Sequence, residues 1–252
     1  MRTYAALAAL ALLAACGGDA EPKPDATPAP TQSTAALPPE AKAVRDATAK
    51  TLAACPCEVT VRVSAFAGKP YDVTLRGVYD PRTFSAELKE VDGGAETGIV
   101  FRIVDGRTYM DPAIGQWVEL DFSGLPAKPV SPLHPVALAD PRIVFAVASS
   151  VSTASVANGD FYDVAYDMAT AVPATGPWAD MVKRLAPGES VYDKVKVSNG
   201  SLTFAGFATT DSGKGDEIHV GLTVEATGRT APGVAVPTVV RKVDVATEEI
   251  EG

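Results

Sequence analysis

The chain has 252 residues, with 31 acidic against 22 basic side chains and a formal net charge of -9. That balance argues against a nucleic-acid partner, which selects basic surfaces, and against electrostatic docking on anionic lipid headgroups. The length fits one domain with a sizeable core plus a tail.

Arg2 gives the N-terminus a positive charge, and Tyr4 to Ala15 is an unbroken run of Ala, Leu and Tyr. The run has the length of a signal-peptide core and is too short to span a bilayer. It ends on Leu13-Ala14-Ala15-Cys16, which resembles a bacterial lipobox. The reading favoured over an ordinary secretory signal is a leader over 1–15, removed to leave a diacylated Cys16. Two acyl chains make a stable membrane tether where one holds only marginally. The expected location is the extracytoplasmic face of a bacterial cell membrane.

Residues 16–37 are rich in Pro, Ala and Thr and poor in large apolar side chains, so they read as a flexible linker. The domain is expected over 38–252. Pro38-Pro39-Glu40 opens a helix, with Ala43, Val44, Ala47, Thr51 and Leu52 as its apolar stripe. Cys55-Pro56 ends it.

The pattern then switches to period two. Val59, Val61, Val63 and Ala65 share one strand face; Tyr71, Val73 and Leu75 share another. Phe84, Ala86 and Leu88 follow, then Ile99, Phe101 and Ile103. Gly68-Lys69-Pro70, Asp80-Pro81, Asp92-Gly93-Gly94 and Asp105-Gly106 supply the turns. Arg107 to Met110 and Trp117 to Phe122 are further strands, followed by a Pro-rich loop over Pro126 to Pro135. A helix is expected over Asp140 to Ser152, then a hairpin around Asn158-Gly159, and a short helix over Trp178 to Leu185. Val191 to Val197 and Leu202 to Ala208 flank Asn199-Gly200. Ile218 to Ala226 follows, Val239 to Val245 adds an edge strand, and Glu248, Glu249 and Glu251 form a solvated tail. The fold class is α+β: one large, curved antiparallel sheet, a half-barrel with a few helices over its concave apolar face.

Two segments carry a family likeness: Ile99 through Met110, and Gly115-Gln116-Trp117-Val118-Glu119-Leu120. With the lipobox, the linker, the first helix and the strand from Phe161 toward Thr170, the chain resembles the LppX/LprG-type lipoproteins of mycobacteria and their actinobacterial relatives. These share a LolA/LolB-like half-barrel. Cys55-Pro56-Cys57 lies outside that family's pattern. The resemblance implies a carrier that holds the acyl chains of a lipid, glycolipid or lipoglycan between sheet and helices, with an envelope transporter as partner. No cofactor is implied.

On this reading the first half of the sheet offers Val61, Val63, Val73, Leu75, Phe84 and Leu88 as ligand-binding wall positions, continued by Ile99, Phe101 and Ile103. The second half offers Leu202, Phe204, Val220 and Leu222. Val144, Val147, Met181 and Leu185 are placed in the helical lid. For any one of these residues, plain core packing is the reading preferred to lipid contact.

Catalysis finds no footing in the sequence. Ser149, Ser150 and Ser152 lack a Gly-x-Ser-x-Gly turn, and His134 and His219 stand apart from any base or ligand pattern. No metal spacing or phosphate loop occurs. Cys55 and Cys57 are a disulfide candidate, read as a local staple in preference to a redox-active pair. Two alternatives to the carrier stay open: an envelope protein-interaction module without ligand, and a redox-responsive lipoprotein using Cys55 and Cys57.

Overall fold

Strand β1 (Cys57–Ala67) lies at the middle of the sheet, and its alternating sequence explains why. Val59, Val61 and Val63 have no solvent exposure, while Arg62 on the other face is exposed. A strand with one wholly apolar face needs neighbours on both edges and cover on that face.

The computed structural model describes residues 36–67, 69–122, 139–167, 193–211, 216–226, 233–245 and 249–251. From β1 the chain meanders through β2 (Lys69–Asp80), β3 (Ser85–Asp92), β4 (Ala95–Val104), β5 (Arg107–Pro112) and β6 (Trp117–Asp121). A second meander runs through β7 (Val151–Asn158), β8 (Phe161–Tyr166), β9 (Lys194–Ser198), β10 (Ser201–Asp211) and β11 (Asp216–Ala226). It starts at the far edge and works inward until β11 pairs with β1. Strands β12 (Val239–Asp244) and β13 (Glu249–Glu251) return to the opposite side. The described strands form one open, curved sheet of thirteen, ordered β13-β12-β6-β5-β4-β3-β2-β1-β11-β10-β9-β8-β7. Among its described pairs only β12 with β6 is parallel.

Helices α1 (Pro39–Ala54) and α2 (Pro141–Ala148) lie on the inner face, over the β7 to β11 half. The Nε of Arg45 in α1 donates to the Val151 carbonyl at 2.6 Å, at the start of β7. The Leu202 N–H of β10 donates to Thr51 Oγ1 at 2.8 Å, inside the core. In α2, Asp140 caps the helix by accepting from the Arg142 N–H at 2.9 Å and also holds the Arg142 guanidinium. The Phe145 ring of α2 stacks on Tyr79 of β2, with centroids 5.6 Å apart. Burial, reinforced by the charge of Asp140, pushes the Tyr79 hydroxyl well above its usual range, so it stays protonated.

The outer face is polar. Arg76 pairs with Glu58, Arg62 with Asp72, Arg102 with Glu87 and Lys89 with Glu96, each across neighbouring strands. Exposed pairs of this kind contribute about 0–1 kcal/mol each, so they keep the face wet more than they hold the sheet. Trp117 also lies on this face, with the Arg102 guanidinium 4.5 Å from its ring centroid. At the hairpins, Asp105 and Gly106 (φ 49° and 81°) and Asn199 and Gly200 (φ 54° and 68°) adopt the left-handed backbone a two-residue turn demands.

Several sequence expectations need correcting. Of the expected α1 stripe, Val44, Ala47 and Thr51 are buried and Leu52 packs half-buried against the core, but Ala43 is exposed, because the buried face is centred on Ala41, Val44, Thr48 and Thr51 at helical spacing. Lys69 and Pro70 belong to β2 and not to a turn, paired with Ala67 and Phe66. Helix α2 stops at Ala148: the Ser149 and Ser150 hydroxyls donate to the Phe145 and Val147 carbonyls, and Val151 already pairs in β7. Strand β12 is not an edge, because Glu249–Glu251 pairs outside it as β13. The Pro-rich loop with His134 and the short helix over Trp178 to Leu185 lie outside the described residues.

Two substitutions test this packing by chemical denaturation. Thr51→Val is expected to destabilise by about 1–3 kcal/mol, because the buried Leu202 N–H loses its acceptor. A Cβ at Gly77 would meet the Glu87 carbonyl oxygen at 1.8 Å. That partner is backbone and cannot swing away, so Gly77→Ala is expected to cost about 3 kcal/mol.

Candidate functional site

The inner face is the one continuous apolar surface that the described strands build together, and its burial is uneven along the strands. Near one end, Tyr79, Ala86, Ile103 and Leu120 are buried, and Phe122 closes the row. Toward the other end, Val73, Ile99, Met110 and Val118 are only half-buried, though they pack against the same core. Register makes these four a rim. Met110 stands opposite both Phe101 and Val118, and Ile99 stands opposite Pro112.

Polar groups stand on the same rim. Glu90 of β3 is opposite Leu75 and so shares the inner face, and Thr97 Oγ1 donates to its Oε2 at 2.8 Å. A bulge in the β3–β4 pairing at Glu90 brings these two together. Arg241 of β12 stands beside Val118 and is exposed, without an ion pair among the described residues. The rim thus combines apolar side chains with one carboxylate and one guanidinium, which suits an amphiphile with its tail inward and its head at the edge. Glu90 and Arg241 escape sequence reading. A charged residue inside an alternating strand looks like a wet-face position until register assigns its side.

The structure places most wall candidates on this face. Val61, Val63, Leu75, Leu88, Phe101, Ile103, Leu202, Val220 and Leu222 are buried in it, with Val144 and Val147 of α2 against them. Val73 and Ile99 belong to the rim.

Two candidates do not belong. Phe84 precedes β3 in a left-handed turn conformation (φ 50°) and is 59% exposed, so it lines nothing. Phe204 faces outward: the β9–β10 register shifts between Leu202 and Phe204, and the extra residue reverses the face. Ala205 and Phe207 take the inner positions instead. Met181, Leu185 and Cys16 lie outside the described residues.

A disulfide joins Cys55 to Cys57, and both residues are buried between α1 and β1. Redox signalling needs an accessible pair, and this one is enclosed. Among the described residues no cluster of three His, Cys, Asp or Glu side chains forms that could hold a metal ion. No described helix is long and apolar enough to cross a membrane.

No family model matches the chain, and no curated protein does. Among solved structures the chain is similar to the crystal structure of LprF from Mycobacterium bovis, at 16% sequence identity and a TM-score of 0.43, over 80% of this chain and 98% of that one.

Proposed function

We propose that this protein is a lipid-anchored envelope lipoprotein that carries the acyl chains of a lipid or glycolipid on the inner face of its sheet. The observation that carries the reading is the continuous apolar inner face and the half-buried rim in which it ends. Among the described residues, α1 and α2 pack chiefly over β7 to β11 and reach β2 through the Phe145–Tyr79 stack, and the apolar face runs on through β3 to β6 to a half-buried rim at Ile99, Met110 and Val118. Acyl chains laid along it gain about 25 cal/mol per Å² of apolar area removed from water. No chemical step is required. Arg241 would face an acidic headgroup, Glu90 and Thr97 its hydroxyls, and Cys16 would hold the domain at the membrane where such lipids are found.

The test is mass spectrometry on the full chain purified from an actinobacterial host. Acyl groups on Cys16 persist under denaturing conditions, whereas a carried lipid is seen only in the native spectrum. The expected result is a native mass that exceeds the denatured mass by one lipid, with Val118→Trp and Val73→Trp folding normally but retaining less of it. Equal native and denatured masses, with no uptake from host lipid extract, would overturn the proposal.

A further inference from the structure

The outer face carries a second feature that the lipid reading does not use. Across four neighbouring strands, Arg62 of β1, Gly221 of β11, Gly206 of β10 and Lys194 of β9 stand in one register row. Two glycines therefore separate two cations. The Phe204 ring fills the space above the glycines: a Cβ on Gly206 would come within 2.9 Å of the ring, and one on Gly221 within 3.3 Å. The ring's Cζ, Cε1 and Cε2 thus lie over the two glycines, and the side chain is only half-buried. Around it is a recess of about 620 Å³, a size typical of small-molecule sites.

The lining of that recess has a definite chemistry. Thr60, Ser64, Thr74 and Thr223 bring hydroxyls, His219 brings an imidazole, and among the described residues no carboxylate lines it. Arg62 and Lys194 pair with Asp72 and Asp163, but these pairs are exposed, the second with its charges 4.0 Å apart. The Lys194 pair, held so loosely, gives way to an incoming anion at little cost, whereas Asp72 accepts two hydrogen bonds from Arg62 and holds that guanidinium in place at the other side of the ring. A half-buried aromatic ring between two cations, ringed by hydroxyls, matches a ligand with one apolar ring face, several hydroxyls and a negative charge.

We infer that this recess binds an acidic carbohydrate, with the sugar ring on Phe204 and the acidic group drawn to Arg62 or Lys194. The site is on the opposite face from the acyl-chain surface and stands or falls independently of it.

Saturation-transfer NMR on the full chain tests this with glucose 6-phosphate, glucose and inorganic phosphate as probes. Glucose 6-phosphate is expected to receive saturation at its ring protons and to bind at least about fivefold tighter than either other probe. Phe204→Leu should remove the ring saturation, and Lys194→Gln or Arg62→Gln should bring the affinity down toward that of glucose. All three positions are on the outer face, so an unchanged thermal transition confirms that the fold survives. Displacement by micelles of a glucuronosyl diacylglycerol identifies a glycolipid headgroup as the source; failure to displace identifies a free sugar. Binding of phosphate as tight as that of glucose 6-phosphate, untouched by Phe204→Leu, would reduce the recess to an ion site and overturn the inference. So would the absence of saturation for every probe.

Discussion

A single open sheet with one apolar face must find cover for that face, and this requirement governs the molecule. Val59, Val61 and Val63 at its centre are wholly removed from water, and Leu75, Val220 and Leu222 beside them nearly so. Burying each such side chain contributes about 1.5–3 kcal/mol. Among the described residues, helices α1 and α2 supply cover chiefly over β7 to β11, held by the buried Thr51 to Leu202 contact, and Phe145 of α2 reaches across to Tyr79 of β2. Over the other half the same apolar face runs on to a rim of half-buried side chains. The proposed carrier role rests on that apolar face and its rim.

The two faces divide the chemistry. Inside, side chains are apolar, and in the proposed carrier specificity comes from the rim, where Glu90 and Arg241 stand. Outside, cross-strand ion pairs keep the surface wet, and a register row of two cations and two glycines creates a place for an aromatic ring. A period-two backbone makes such a division possible: each strand contributes alternately to both surfaces, so one protein can present an apolar wall and a polar recess on the two sides of one layer.

The buried Cys55–Cys57 bridge fits the same economy. It joins Cys55, the C-cap of α1, to Cys57, the first residue of β1, across the junction of helix and strand. The buried Asp140–Arg142 pair does related work at the start of α2, satisfying the helix end and a guanidinium inside one contact.

The sequence by itself determined the alternation of β1 to β4, the Asp105-Gly106 and Asn199-Gly200 turns, the opening of α1 on two prolines, and hence an α+β sheet with one apolar face. These features are local: period, turn chemistry and capping act within a few residues. Tertiary structure decided what depends on strand register. Phe204 reversed its face because of one extra residue in β10, and Phe84 left the wall because its backbone turned before β3 began. Glu90 and Arg241 joined the rim, and Arg62 and Lys194 came to flank Phe204, only through pairing between strands distant in sequence. A shift of one residue exchanges the two faces of a strand, and nothing within the strand's own sequence fixes that shift.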